Sequence, residues 1–402
     1  MPRQNTRPWA YGLPAALMLL APFNILASLG MDIYLPVIPA MPGILGTTPA
    51  VVQMTLTLYM IMLGVGQIVF GPLSDHVGRR PVLIGGAALF ALASFALAVT
   101  TSAPLFVSLR VLQAVGASAA LVAVFATVRD VYAERPESAV VYSLMNGMLA
   151  FVPALGPIAG ALIATALGWP AIFVALGVPA VAMLIVALPA WRETRPPRHE
   201  RDRPAFGPVL RSPAFWTYTA GFGTAMGTFF VFFSTAPRVL IDGAGFSELG
   251  FSLAFASVAV VMIGTARLAG RVVGRWGIAG TARRGLTLLI LGAGLLLPGQ
   301  LLATPSFWSF IAPMWVMAVG IVFITSVTAN GALQEFGAIA GTAVALHFCV
   351  QSLVTGLVGT GFVIALDGAT AWPLIGYSAG MSALTLAALL RLGRRRSRPQ
   401  PV

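Results

Sequence analysis

Lysine is absent from the 402 residues, cysteine occurs once, and only 9% of positions are charged. The single cysteine, Cys349, excludes an internal disulfide and fits a reduced or membrane-buried thiol. Acids number 12 and histidines 3. No spacing among them makes a metal-ligand cluster, and no nucleophile triad or phosphate-binding loop is visible, so no catalytic residue, metal or cofactor is expected. An ordinary soluble domain is about 25% charged. With so few polar groups to cover a surface, a disordered chain is excluded and a water-soluble globule nearly so.

What is present is apolar: 58% of the residues are hydrophobic. A bilayer-spanning helix needs about 20 mostly apolar residues. Pro, Gly and charged breaks divide the chain into twelve such spans, near 12–38, 50–70, 82–100, 104–128, 138–166, 170–190, 213–236, 248–270, 285–303, 307–330, 338–365 and 371–390. The charged start, MPRQNTRPWAYG, runs straight into a helix too long for a cleavable signal core.

The net charge of +12 comes from 24 arginines. Such an excess suits nucleic acid, but nucleic-acid binders rarely carry so much apolar surface, and no nucleic-acid partner is expected. Membrane topology accounts for it instead. All the arginines except Arg110, Arg238 and Arg267 fall on the side of the termini, which the positive-inside rule assigns to the cytoplasm. The longest polar break, WRETRPPRHERDRPAFG, lies at the middle. The expected architecture is an all-α membrane protein of twelve transmembrane helices in two six-helix bundles, 1–190 and 213–402. A cytoplasmic linker, 191–212, joins them. GPLSDHVGRR between spans 2 and 3 has a counterpart, ARLAGRVVGRWG, after span 8 that keeps Gly and Arg but lacks the acid.

An ionisable side chain inside a span costs about 2.5–3.5 kcal/mol on the insertion scale, so each one marks a functional hypothesis. Asp32 is the one acid expected within a span. It is a candidate for taking up and releasing a proton; the alternatives are a bond to distorted backbone or contact with water near the outer surface. Arg110 in span 4 needs acceptors, and a link to Asp32, direct or through water, is the simplest arrangement. Gln113, three residues on, shares its face. Asn24 lies two turns before Asp32 on span 1, where both can border one cavity. It offers a donor and an acceptor without charge, suited to a neutral polar ligand or to an interhelical hydrogen bond. Tyr34, Tyr59, and Phe230 and Phe233 in the FFVFF run are candidate substrate contacts or packing residues. His347 reads as a packing histidine more than as a proton relay.

Several stretches resemble one family. GPLSDHVGRRPVL resembles the loop signature of the major facilitator superfamily, LRVLQAVGASAA its helix 4 signature, and ALGPIAGALI the helix 5 signature of its proton-coupled antiporters. MDIYLPVIPAMP resembles the twelve-span drug:proton antiporters. AYGLPAALMLLAPFNILASLGMDIYLP, FATVRDVYAERPE, FGTAMGTFFVFFSTAPRVLI and PMWVMAVGIVFITSVTANGAL resemble the bacterial florfenicol and chloramphenicol exporters.

The resemblance implies proton-driven efflux of phenicol-like drugs by a monomer in the bacterial inner membrane, with protons, drug and membrane lipid as its partners. Asp32 would be the protonatable site and Arg110 its tuning partner. Gly71, Asp75, Gly78 and Arg79 would form a gate latch, with Asp75 meeting the N-terminal end of helix 11 and Arg79 pairing with Asp130. Gly156, Pro157 and Gly160 would bend helix 5 and pack it on helix 8. The phenicol exporters carry an acid where this chain has Asn24. That departure leaves two alternatives: export of another drug or metabolite on the same fold, or impaired transport.

Overall fold

In an apolar surrounding, helices satisfy their backbone N–H and C=O groups within one segment, and these sequences take that solution throughout. A computed structural model describes residues 11–132, 135, 137–195, 206–302, 305–336 and 339–396, and no strand occurs among the described residues. Among the described residues eleven helices are long and apolar enough to cross a membrane. They are α1 (Leu13–Val37), α2 (Pro49–Val77), α3 (Arg79–Val99), α4 (Ala103–Tyr132), α5 (Ser138–Leu167) and α6 (Pro170–Ala190). After the linker come α7 (Pro213–Gly243), α8 (Glu248–Leu302), α9 (Phe307–Leu333), α10 (Gly341–Ala365) and α11 (Trp372–Arg396). Residues 1–10, 196–205 and 397–402 lie outside the described residues, and with them Glu200, Asp202 and six of the arginines counted above. Glu134 does too.

The starts and stops follow local chemistry. Pro49 and Pro213 open α2 and α7 behind Thr48 and Ser212, whose hydroxyls accept the N–H groups of Val51 and Phe215 at 3.4 and 3.2 Å. Gly78 ends α2 at φ +117°, a backbone angle that favours glycine.

Among the described residues the helices of spans 8 and 9 meet at a kink inside the 55-residue α8, which is why eleven are counted where twelve spans are expected. Its backbone leaves helical geometry at Gly277 (φ 66°, ψ 177°), and the flanking stretch read as a connection is helical. Arg and Ala on either side are strong helix formers, which a reading based on charge alone overlooks.

Two helix pairs pack at backbone contact. A Cβ on Gly86 of α3 would come within 2.8 Å of the Gly116 carbonyl oxygen of α4, and one on Gly116 within 2.6 Å of the Gly86 carbonyl oxygen. Gly285 of α8 and Gly320 of α9 repeat this reciprocal contact at 2.8 and 2.7 Å.

The helices before the linker pack mainly on one another, as do those after it, and the two sets meet along α2–α10 and α5–α8. Gln53 Nε2 donates to Ser234 Oγ at 3.0 Å, the Thr57 and Thr360 hydroxyls lie 2.5 Å apart, and Ser252 Oγ donates to the Pro157 carbonyl at 3.0 Å. All three bonds lie toward the end away from the arginines. Toward the arginine-rich end α2 and α10 diverge: at Gly71 of α2 and Gly341 of α10 an added Cβ would meet nothing within 4 Å.

Candidate functional site

Arg110 is fully buried in α4, and the surrounding helices are arranged to receive its charge. Its guanidinium lies over the Tyr59 ring at 4.6 Å and the Tyr34 ring at 5.1 Å from the centroids. Nη1 donates to the Gly30 carbonyl at 2.8 Å and to Gln113 Oε1 at 2.6 Å. Gly30 sits in the last regular turn of α1, where carbonyls lack a partner four residues on and accept from elsewhere. Gln113 Nε2 then donates to Ser94 Oγ at 2.8 Å, and Ser94 Oγ to the Phe90 carbonyl at 2.7 Å. Tyr59 is fixed by its hydroxyl, which donates to the Ala27 carbonyl at 2.8 Å. Nε and Nη2 of Arg110 have no hydrogen-bond partner. Among the described residues no carboxylate forms an ion pair with Arg110. The direct link to Asp32 is therefore absent here, and aromatic faces and a carbonyl take its place.

Asp32 closes the α-helical part of α1, 7% exposed, and among the described residues forms no ion pair, unlike Asp130, whose side chain is equally buried. Its neighbour is α5. A Cβ on Gly156 would come within 2.9 Å of Asp32 Cβ, and one on Gly160 would overlap the Ile33 carbonyl oxygen. These glycines thus serve the approach of α5 to α1, not to α8 as expected. Pro157 does face α8, through the bond its carbonyl accepts from Ser252. The family signature marks a close-packed face but does not name the helix it meets.

The expected substrate contacts fall in separate places. Tyr34, Tyr59 and Gln113 gather at Arg110. Asn24 is buried, with Nδ2 donating to the Met145 carbonyl of α5 at 3.3 Å and Oδ1 unpartnered. Phe230 packs against Gly359 of α10. Phe233 joins an aromatic cluster in which Phe255 of α8 stacks on Phe232 at 5.1 Å and Phe310 of α9 lies 5.8 Å from Phe232. His347 is buried between α10 and α7, its Nδ1 2.9 Å from Thr219 Oγ1.

At the arginine-rich end, Gly78 turns the chain directly into α3 and places Arg79 among carboxylates. Arg79 Nη2 meets Asp75 at 2.5 Å, Nε meets Asp130 at 2.8 Å, and Nη1 donates to Ser74 Oγ at 2.8 Å. Gly71 lies one turn before Asp75. Arg129 stands 3.8 Å from Asp75.

Glu193, just after α6, was missed as part of this assembly. Its carboxylate accepts the backbone N–H groups of Arg79 at 2.8 Å and Arg80 at 3.2 Å, capping the start of α3. Arg195 Nη1 donates to the His76 carbonyl at 2.5 Å and Arg80 Nη2 to the Leu188 carbonyl at 2.7 Å, so the end of α6 is stitched to the α2–α3 turn. The available signal was an acid directly after the last turn of α6, at the head of a mainly basic linker. No metal-ligating cluster occurs among the described residues. An apolar groove of about 290 Å³ opens between α2, α3 and α4, away from Asp32 and Arg110.

A family model described as Major Facilitator Superfamily matches residues 20–360. The chain is 48% identical to a chloramphenicol resistance protein of Pseudomonas aeruginosa, over 94% of this chain and 90% of that one. It is 30% identical to multidrug resistance protein MdtL of Escherichia fergusonii, over 54% of this chain and 56% of the relative. A crystal structure of peptide transporter POT in complex with sulfate superposes with a TM-score of 0.78 at 14% identity, covering 97% of each chain. A bacterial homolog of the human lysosomal transporter Spinster gives 0.69 at 13% identity, covering 96% of each chain. These two likenesses are of fold alone.

Proposed function

Because the chain belongs to the Major Facilitator Superfamily, we propose that it is a membrane transporter and not an enzyme, a proton-coupled exporter of phenicol-like drugs in the bacterial inner membrane. The drug class is supported by the 48% identity to a chloramphenicol resistance protein. The observation that carries the coupling is Asp32, a buried carboxyl with no ion partner, two residues after Gly30, whose carbonyl accepts from an arginine held by neutral groups.

An ionised carboxylate left alone in a low-dielectric interior costs several kcal/mol. Asp32 has two ways to avoid that cost: it takes a proton, or it draws Arg110 out of its seat between Tyr34 and Tyr59. With the guanidinium seated, the arrangement suits a protonated Asp32. Loss of the proton pulls on Arg110, and through Gly30 and Gln113 on α1 and α3. Proton occupancy thereby changes how α1, α4 and α5 pack, and drug binding that favours one packing releases or recruits the proton.

The large-scale reading follows from lengths and charge. At 1.5 Å per residue the arms of α8 before and after Gly277 are roughly 43 and 37 Å long, each enough for a hydrocarbon layer of about 30 Å, so they make two crossings and the total is twelve. Residues 1–190 and 213–402 then form two six-helix bundles, with the termini and the 191–212 linker cytoplasmic. The hydrogen bonds joining the bundles lie at the outer end, so this form opens to the cytoplasm and alternating access requires those bonds to break. Asn24, with a free acceptor, and Gln113 supply polar groups for a neutral drug bearing hydroxyl and amide groups. The similarity to a multidrug resistance protein supports a second reading, a wider range of drugs on the same coupling.

The test is chloramphenicol accumulation in cells carrying the intact chain or Asp32→Asn, with and without a proton ionophore. Export that the ionophore abolishes in the intact chain and that Asp32→Asn lacks supports the proposal. Ionophore-insensitive export rejects it.

A further inference from the structure

The arginine-rich end is built differently in the two halves of the chain. In the first, Arg79 is neutralised by Asp75 and Asp130. In the second, α8 carries Arg267, Arg271 and Arg275, all exposed, and among the described residues none of the three forms an ion pair. Asp242, Glu248 and Asp367 lie at the opposite end. Glu335, on the arginine side, accepts from Ser212 at 3.2 Å.

These arginines share one face. At 100° per residue, Leu249, Leu253, Val260, Gly264, Arg267, Leu268, Arg271 and Arg275 fall within about 100° of arc, and every one is exposed. Gly264, Gly270 and Gly274 beside the arginines meet no other atoms within 4 Å of an added Cβ. The stripe is apolar from the outer end inward and cationic over its last turns. Leu249 and Leu253 lie where the halves are closed against each other, so the face they begin looks outward to lipid and not into a central opening.

The arginines climb the helix in steps of about 6 Å, and Arg267 lies about 15 Å before the break at Gly277. That order, acyl-facing residues followed by a ladder of cations, matches a phospholipid lying along the helix. An unpaired guanidinium at this depth needs an anion, and Arg matches phosphate with paired N–H donors.

We propose that the α8 stripe binds an anionic phospholipid of the surrounding leaflet, its acyl chains on Leu268 and Val260 and its phosphate on Arg267, Arg271 and Arg275. The lipid supplies the counter-charge that Asp75 and Asp130 supply in the first half. This rests on the membrane placement of the chain and not on drug export, so a protein inactive in transport still tests it.

The test uses the purified full-length chain, with bound lipid counted by native mass spectrometry after titration with phosphatidylglycerol or phosphatidylcholine. The intact chain is expected to retain phosphatidylglycerol in preference. Each arginine near an anionic surface contributes about a fivefold factor, so the triple variant R267Q/R271Q/R275Q loses roughly a hundredfold in phosphatidylglycerol affinity. R267K/R271K/R275K keeps most of it, and R283Q/R391Q, which removes two other exposed arginines at the same end, leaves it unchanged. A glutamine triple that folds and retains the lipid overturns the proposal. So does displacement by inorganic phosphate, which identifies a free-anion site, or by chloramphenicol, which puts the stripe on the transport path.

Discussion

Arg110 is held by surfaces more than by charges, and that has consequences for single substitutions. Desolvated cation–π contacts contribute about 2 kcal/mol. Tyr59→Ala removes one ring and the bond to the Ala27 carbonyl, and is expected to lower the thermal midpoint of the purified protein and its export. Tyr59→Phe keeps the ring and is expected to lie much closer to the intact chain. Equal midpoints for the two variants count against the aromatic seat. The Arg110–Gln113 bond was legible from spacing along one helix. The seat was not, because Tyr34, Tyr59 and Gly30 reach Arg110 from other helices, and no periodicity within α4 reports what packs on it. Asp32 and Arg110 are the embedded pair that the span assignments single out, yet opposite charge within the spans did not make them bond.

At the level of helices, the glycine faces are the most exposed to test. Gly160→Ala drives a methyl group into the Ile33 carbonyl, and overpacking of this kind costs about 1–3 kcal/mol. Gly147→Ala, on the same helix with open space around it, gains helix propensity of about 1 kcal/mol and loses nothing. Midpoints of the two purified variants should therefore move in opposite directions; parallel shifts would mean that α5 does not rest on α1 through Gly160. Glu193→Gln weakens the cap of α3 and is expected to destabilise by about 1 kcal/mol, read as a lowered midpoint that Glu193→Asp partly restores. The helices themselves were legible nearly to their ends, since apolar runs bounded by Pro, Gly and charge leave few alternatives. Partners were less so: Gly156 and Gly160 announced a close approach but not to which helix, and Glu193 acts through a turn more than a hundred residues earlier.

For the whole molecule, the bonds Gln53–Ser234 and Thr57–Thr360 make the closure at the end away from the arginines a separable feature. With Cys349 replaced by Ser, a Thr57→Cys, Thr360→Cys pair is expected to halt drug export under oxidising conditions and regain it on reduction. Undiminished export from a crosslinked protein would mean that this end need not part. The break between spans 8 and 9 shows how coarsely a sequence places a boundary. Charge and glycine between spans 8 and 9 marked a break, and the backbone breaks at one residue, Gly277, with helix on both sides. The repeat was faint in the loop motifs but is plain in the paired contacts Gly86–Gly116 and Gly285–Gly320, whose spacing is set by three-dimensional approach.

The coupling itself is tested most directly by drug-induced proton release from the purified protein, followed with a pH indicator in weak buffer. Chloramphenicol added to the intact chain should release protons, and its affinity should rise with pH until the coupled group is fully ionised; Asp32→Asn should bind drug without either effect. Equal proton release from the intact chain and from Asp32→Asn would contradict the account.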